Sequence, residues 1–374
     1  MKIDHARVQR FLFTLCLFII VVWWAAIFVS LNRDQSDPIK LDFIAFWAAA
    51  KLALAGEPLS VWNPGLFEIA QGIRSAEKGT MPWFYPPTFQ LALAPLGFLP
   101  LTLAYGAFIA LSLVFYFRLI SRIIPDYAGY LVAAPAVILC CFLGNNAVFF
   151  AACLGYALLH LTQPARAGFS IALMSMKPTL GPMIPIALLA SRRWGVILWA
   201  SLFVVGMAAA ATLLFGIAYW TAFIDASQTA LGRIKPGSHE TGMMVSWFSL
   251  ARTAGWSQEA AIGLHGAWLI AMIAALILLW ARSATDFNWQ AAALFLAVPL
   301  TSPHAFHYEM TYGLLALGFM LRAGIGPIGK VIAVTLWLGP LPGIWSTTLF
   351  PLVSFAAPVL SIAFVYAVVR GLRG

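Results

Sequence analysis

From residue 11 onward the chain repeats one pattern: an apolar run long enough to cross a bilayer, a short polar break, then another run. A bilayer core of about 30 Å calls for about 20 apolar residues per helix. Inside hydrocarbon, every backbone N–H and C=O must find its partner within the protein. The fold class this pattern predicts is an all-α polytopic membrane protein. Composition decides one point: with 62% hydrophobic and 9% charged residues, the chain lies outside the range of soluble domains. The basic excess, 22 Lys and Arg against 13 Asp and Glu, sits between the apolar runs and forms no patch. That excludes nucleic acid as a partner and points to membrane lipids. Cys16, Cys140, Cys141 and Cys153 all lie within apolar runs, with neither disulfide nor metal-ligand spacing. No small-residue cleavage site follows the first run, so it reads as an anchor.

The arginines order the runs, because short cytoplasmic loops are enriched in Lys and Arg. Residues 11–31 lead out, and 32–87 form a first long outside loop. Residues 88–117 return to Arg118 and Arg122; 127–143 lead out and 147–161 return to Arg166. Residues 167–190 lie between Arg166 and the pair Arg192-Arg193, and one crossing cannot put both flanks on the same side. Met176-Lys177-Pro178 sits in the middle, so the segment reads as a hairpin of two half-helices with Lys177 at its tip. At 1.5 Å per residue, arms of about ten residues reach roughly half to two-thirds of the bilayer depth. Residues 194–216 lead out to a second long outside loop, 217–257. Residues 258–281, 287–301, 310–321, 325–338 and 349–369 then alternate, ending at Arg370 and Arg373. The expectation is a single transmembrane domain over 1–374, a bundle of about twelve helices counting the half-helices. Both termini are cytoplasmic, and the loops 32–87 and 217–257 carry amphipathic helices. In a bacterial inner membrane these loops would face the periplasm. Apart from Asp4, Asp126 and Asp286, every acid falls on the outside.

Three constellations could carry chemistry there. Asp42 opens the stretch Asp42-Phe43-Ile44-Ala45-Phe46-Trp47. This reads as a short helix at the membrane surface, with Phe43, Phe46 and Trp47 dipped into the headgroups. Asp42 is either the helix N-cap, a position aspartate favours, or a carboxylate working where lipid meets water. Lys177 is either a lysine that snorkels from a helix end or an intramembrane cation beside a half-helix N-terminus, suited to an anion such as phosphate. His304, His307, Tyr308 and Glu309 open a span at the outer face. If helical, His304 and His307 share one side; the alternative is an interfacial polar cap. Asn145 and Asn146, at another outer turn, either bind sugar hydroxyls or turn the chain.

Taken together, Asp42-Phe43-x-x-Phe46, Phe84-Tyr85-Pro86-Pro87, Gly144-Asn145-Asn146, Lys177-Pro178 and Ser302-Pro303-His304 resemble glycosyltransferase family 87. These are polyprenol-phosphate-mannose-dependent mannosyltransferases of the GT-C membrane class. The resemblance covers most of the chain and implies a GT-C-type bundle. It implies transfer of a hexose, mannose in the family, from a polyprenyl-phosphate-sugar donor to a hydroxyl on a lipid or glycan acceptor. Asp42 matches the family's catalytic aspartate. Lys177 and the region of His304, His307 and Tyr308 match positions lining the donor cavity. Tyr85, Asn145 and Asn146 join them as candidate substrate contacts, and neither metal nor cofactor is implied. Where family members often carry glutamine in the turn after the third span, this chain has Asn145. Two rival classes fit less well. A lipid or polysaccharide transporter also uses broken helices at mid-depth, but no repeat links the two halves of this chain. A histidine-dependent acyltransferase would want a histidine deep within a span.

Overall fold

The computed structural model describes residues 5–32, 41–72, 81–230, 243–339 and 356–373. Parts of the two long loops, with Asp34 and Asp37, lie outside the described residues, as does most of the turn 339–348. The described chain is helical throughout, with 18 α-helices, short 3-10 turns and one isolated bridge between Met244 and Phe306. The all-α polytopic class holds. The helices outnumber the expected runs because the runs 88–117 and 127–143 are each divided at a proline and four further helices lie in the two long loops.

The first part comprises α1 (His5–Asn32), α2 (Asp42–Leu54), α3 (Pro64–Ala70), α4 (Pro87–Leu93) and α5 (Leu101–Ile123). The expected span 88–117 is not one helix. A 3-10 turn over Ala94–Phe98 follows α4, and Pro100, extended at the N-cap of α5, ends the run. The crossing is α5 alone, while α4 and its 3-10 extension fold back onto α2. Close approach is possible because residue 97 is glycine; a methyl there would meet the Ala50 carbonyl at 2.9 Å. Gln90, fully buried, donates to the Ala49 carbonyl at 2.9 Å and ties α4 to α2.

This packing corrects the surface-helix expectation for α2. Phe43, Phe46 and Ala48–Ala50 are buried in protein, not in headgroups. Phe43 packs on Tyr105 and Phe108 of α5, and Phe46 on Tyr85 and Phe89. A helix that is apolar nearly all round satisfies itself in protein as readily as in lipid. Only Trp47, whose indole donates to the Leu99 carbonyl at 2.9 Å, stays half-buried.

Next come α6 (Ala128–Val132) and α7 (Pro135–Leu143), one outgoing path bent by 50° where Pro135 interrupts it. α1 lies along both neighbours. At one end, Gln9 pairs with the backbone of Asp126 and Gly129. At the other, the Trp23 and Trp24 indoles donate to Phe142 and Thr102 at 3.1 and 3.0 Å. So α1 runs parallel to α6–α7 and antiparallel to α5, and the molecule has two distinct ends. The turn at 144–146 belongs to the Trp23–Trp24 end.

α8 (Ala147–Leu159) returns, followed by α9 (Pro164–Met174), α10 (Met183–Ala190), α11 (Trp194–Phe215) and α12 (Ala218–Ala230). α9 and α10 are the two half-helices. A methyl on Gly195, at the start of α11, would touch Pro164 at 3.3 Å, and one on Gly168 would crowd Trp199 and Ala200. The start of α9 therefore lies beside the start of α11, which α10 reaches through only Ser191–Arg193. Both flanks of the hairpin share one end of the molecule, with Lys177 at the turn between its arms.

The remainder is α13 (Trp247–Thr253), α14 (Gln258–Trp280), α15 (Phe287–Thr301), α16 (Met310–Ala323), α17 (Pro327–Leu338) and α18 (Ala356–Arg373). Among the described residues, α1, α5, α11, α14 and α18 are long and apolar enough to span a membrane. α15 and α16 are shorter and sit at the hub. Every residue from 289 to 301 and from 310 to 320 is buried. Alanines on α15 and Gly313 and Gly318 on α16 let neighbours close in from all sides. α11, by contrast, buries only Val196, Ala200 and Ala211 and presents its other faces outward.

Candidate active site

The polar groups converge where α2, the 144–146 turn, the hairpin tip and the start of α16 meet. Asp42 is the first residue of α2. Leu41 occupies the N-cap with no side-chain hydrogen bond, so Asp42 does not cap the helix. Its carboxylate turns to Asn145, whose Nδ2 donates to Oδ2 at 2.7 Å. Negative charge at this first turn also suits the helix dipole.

Asn145 is aimed by a helix stop. At the end of α7, Gly144 takes the left-handed conformation (φ 67°), its N–H donates to Cys141, and the Asn145 N–H donates to Cys140. This is the Schellman arrangement. A side chain at 144 would also collide with Phe43 and Tyr105, so glycine alone lets the turn press against α2. Asn145 Oδ1 accepts from the Ala147 N–H at 3.0 Å, which leaves its amide N–H₂ facing Asp42. Asn146 is fully buried; its Nδ2 donates to the Tyr85 hydroxyl at 3.1 Å.

Lys177 precedes the 3-10 turn Pro178–Leu180 and is buried. Its Nζ donates to Asn146 Oδ1 at 2.9 Å and to Glu309 Oε1 at 2.5 Å, and lies 5.4 Å from the Tyr308 ring centre. Glu309 closes a 3-10 turn (His307–Glu309) between α15 and α16. It is almost completely buried, and Oε2 has no hydrogen-bond partner among the described residues. The result is a continuous path, Asp42–Asn145 beside Tyr85–Asn146–Lys177–Glu309. It holds two carboxylates and one ammonium. Phe46, Trp83 and Phe89 wall it around Tyr85, with ring centres 5.4, 5.1 and 4.6 Å from the tyrosine ring.

Burial pushes the Asp42 carboxyl above the ordinary aspartate range. The Asn145 hydrogen bond and the charge of Lys177 pull it back, and the charge of Glu309 adds to the upward push. Asp42 nonetheless keeps part of its surface exposed. Burial likewise raises the Glu309 carboxyl, against the charge and hydrogen bond of Lys177. Burial raises the Tyr85 and Tyr308 hydroxyls too.

Asp42, Asn145, Asn146, Tyr85, Lys177 and Tyr308 are thus brought together. His304 and His307 are not arranged as the helical spacing suggests. His304 lies in a non-helical turn, its N–H donating to Ser302 Oγ at 3.2 Å, and the helical turn starts only at His307. His307 faces the Met243 carbonyl with both its N–H and Nδ1, at 2.9 and 3.2 Å. Val245 N–H to Ala305 O and Ser246 Oγ to Pro303 O, each 2.7 Å, fasten the end of the second long loop to the same stretch. His307 anchors that loop, and Glu309 is the residue that reaches Lys177. A glutamate between two apolar runs is the available sequence signal; its partner lies 132 positions away.

Spanning helices around a buried polar cluster gathered at one end define a polytopic, all-α membrane protein. The family model for Glycosyltransferase family 87 matches residues 83–303, which is 221 of the 374 (303 − 83 + 1). The chain belongs to glycosyltransferase family 87 and is a membrane glycosyltransferase. No curated protein and no solved structure matches it. Tyr85, Asn145, Asn146 and Lys177 lie within the matched residues, Asp42 before them, and His304 to Glu309 after them.

Proposed function

We propose that the protein moves a hexose, mannose by resemblance, from a polyprenyl-phosphate donor to a hydroxyl of a lipid or glycan acceptor. Asp42 acts as the general base. The acceptor O–H gives its proton to Asp42 as the oxygen forms a bond to the anomeric carbon, and the bond from that carbon to the phosphate oxygen breaks. The electron pair leaves with the polyprenyl phosphate. Lys177 offsets the charge on that phosphate, and Asn145 holds Asp42 in place for the proton. The observation that carries the reading is the setting of Asp42: it is part-exposed, released from capping, and gripped at Oδ2 by an amide that the helix stop fixes.

The site faces away from the cytoplasm in this reading. Arg118, Arg122, Arg166, Arg192, Arg193, Arg282, Arg322, Arg370 and Arg373 all lie within or beside the helix ends opposite the 144–146 turn, where positive-inside logic puts the cytoplasm. A lipid-linked donor suits such a site, because its chain stays in the bilayer while its head enters. The test is turnover of a polyprenyl-phosphate mannose by the purified protein and by Asp42→Asn. Asparagine keeps the size of aspartate and cannot take the proton. The expected loss is about 10²-fold or more, with an unchanged melting curve. Near-native turnover would remove Asp42 as base.

A further inference from the structure

The charges in the site do not add up to a place prepared for a phosphate. Two carboxylates, Asp42 and Glu309, stand against one ammonium, Lys177, and Glu309 already holds that ammonium. A donor phosphodiester brings another negative charge. Like charges in a poorly screened site repel strongly, so an incoming phosphate meets both an occupied lysine and an adverse field. Meanwhile Glu309 Oε2 is buried without a hydrogen-bond partner among the described residues, so half of that carboxylate is desolvated and uncompensated.

We propose that Glu309 is the resident counter-ion of Lys177, that the donor phosphate takes its place, and that Glu309 then takes up one proton from bulk water. In that step no bond of the donor breaks. Lys177 keeps its three hydrogens and exchanges a carboxylate oxygen for a phosphate oxygen, and the proton adds to the Glu309 carboxyl. A neutral carboxyl is cheaper to bury than a carboxylate. This inference rests on the reading of Lys177 as a donor contact.

The groups facing Glu309 are few. Lys177 comes from the hairpin, Asp42 from α2, Tyr85 from the loop before α4, Cys140 from α7, and Tyr308 and Tyr312 from its own connection and α16. Thiols and phenols ordinarily ionise above about pH 8, and a phosphodiester has no proton to lose in the neutral range. Burial already lifts the Glu309 carboxyl above the usual glutamate range, with Lys177 opposing it. A bound phosphate claiming Lys177 lifts it further. Between the free and loaded values, donor binding takes up a proton, so affinity rises as pH falls.

The experiment is calorimetric titration of a short-chain polyprenyl-phosphate mannose into the full-length protein in detergent, from about pH 6 to about pH 8.5, in two buffers of different ionisation enthalpy. The expected native result is uptake of on the order of one proton per donor, and up to about tenfold tighter binding per unit fall in pH. Glu309→Gln should bind more tightly than the native protein at the alkaline end and show no such pH dependence. Native binding without proton uptake overturns the inference; that arm needs no variant to fold. Uptake that persists in Glu309→Gln belongs to another group and overturns it as well. The double variant Lys177→Met with Glu309→Gln, which leaves no unpaired charge, tests the underlying reading. Lost donor affinity there, with no native proton uptake, sinks only the inference. Native affinity in the double variant sinks the reading of Lys177, and the inference with it.

Discussion

Two carboxylates lie in one site and are treated differently. Asp42 sits at the first turn of α2, part-exposed, gripped by a neutral amide. Glu309 sits between two fully buried helices, bonded to an ammonium through one oxygen and to nothing described through the other. A carboxylate that keeps part of its surface exposed and has no cation of its own can exchange protons with an acceptor. One locked to a buried lysine balances charge. In the proposed mechanism the same functional group takes two tasks from its surroundings, the logic by which paired carboxylates divide labour in other enzymes.

The sharpest way to break that contrast is to remove the cation. From the sequence alone, Lys177→Met looks neutral for folding, since the lysine is alone in its apolar run. The structure changes the expectation: methionine would strand Glu309. We expect Lys177→Met to cost about 3 kcal/mol of stability, and the added Glu309→Gln to restore most of it; melting curves of the two variants at matched pH would show this. Equal melting temperatures would mean the pair is not coupled. Gly144→Ala comes next. It puts a side chain at φ 67° and against Phe43, so a loss of about 1–2 kcal/mol is expected, together with slower transfer as Asn145 is pushed off Asp42. Asn145→Ala leaves the backbone turn in place and removes the hydrogen bond to the Asp42 carboxylate. It should slow kcat by roughly tenfold with little effect on donor affinity. Tyr85→Phe is the smallest: it deletes the bond to Asn146, for about 0.5–1.5 kcal/mol, read in the melting curve.

The fold class and most of the polar residues of the site are legible in the sequence. The apolar runs, the arginines at their ends and the proline beside Lys177 suffice for the all-α membrane class and for a hairpin with both flanks on one side. Asp42, Lys177 and the Asn145-Asn146 turn stand out because polar residues are rare in such a chain. What stayed hidden was of two kinds. A helix apolar on every face, like α2, reads the same whether lipid or protein covers it, so its burial under α4 and α5 had no local signal. Long-range pairing had none either: Lys177 and Glu309 are 132 positions apart, Asp42 and Asn145 are 103. The histidines drew attention because imidazole is chemically versatile, while the glutamate two positions beyond His307 was doing the pairing. The helix spacing that put His304 and His307 on one face failed because a turn over residues 302–305, closed by the Ala305 N–H on the Ser302 carbonyl, separates α15 from the helical turn that starts at His307.

The division of labour makes its most direct claim about the pH dependence of transfer at saturating donor, where kcat reports groups in the loaded enzyme. Asp42 must be ionised to accept the acceptor proton. Burial raises its carboxyl above the ordinary aspartate range, so kcat should fall on the acid side of a limb lying above that of an exposed aspartate. Glu309→Gln should leave the limb in place, and Asp42→Asn should leave only a small residual rate without it. The opposite pattern, a limb that survives in Asp42→Asn and vanishes in Glu309→Gln, would contradict the account and make Glu309 the base.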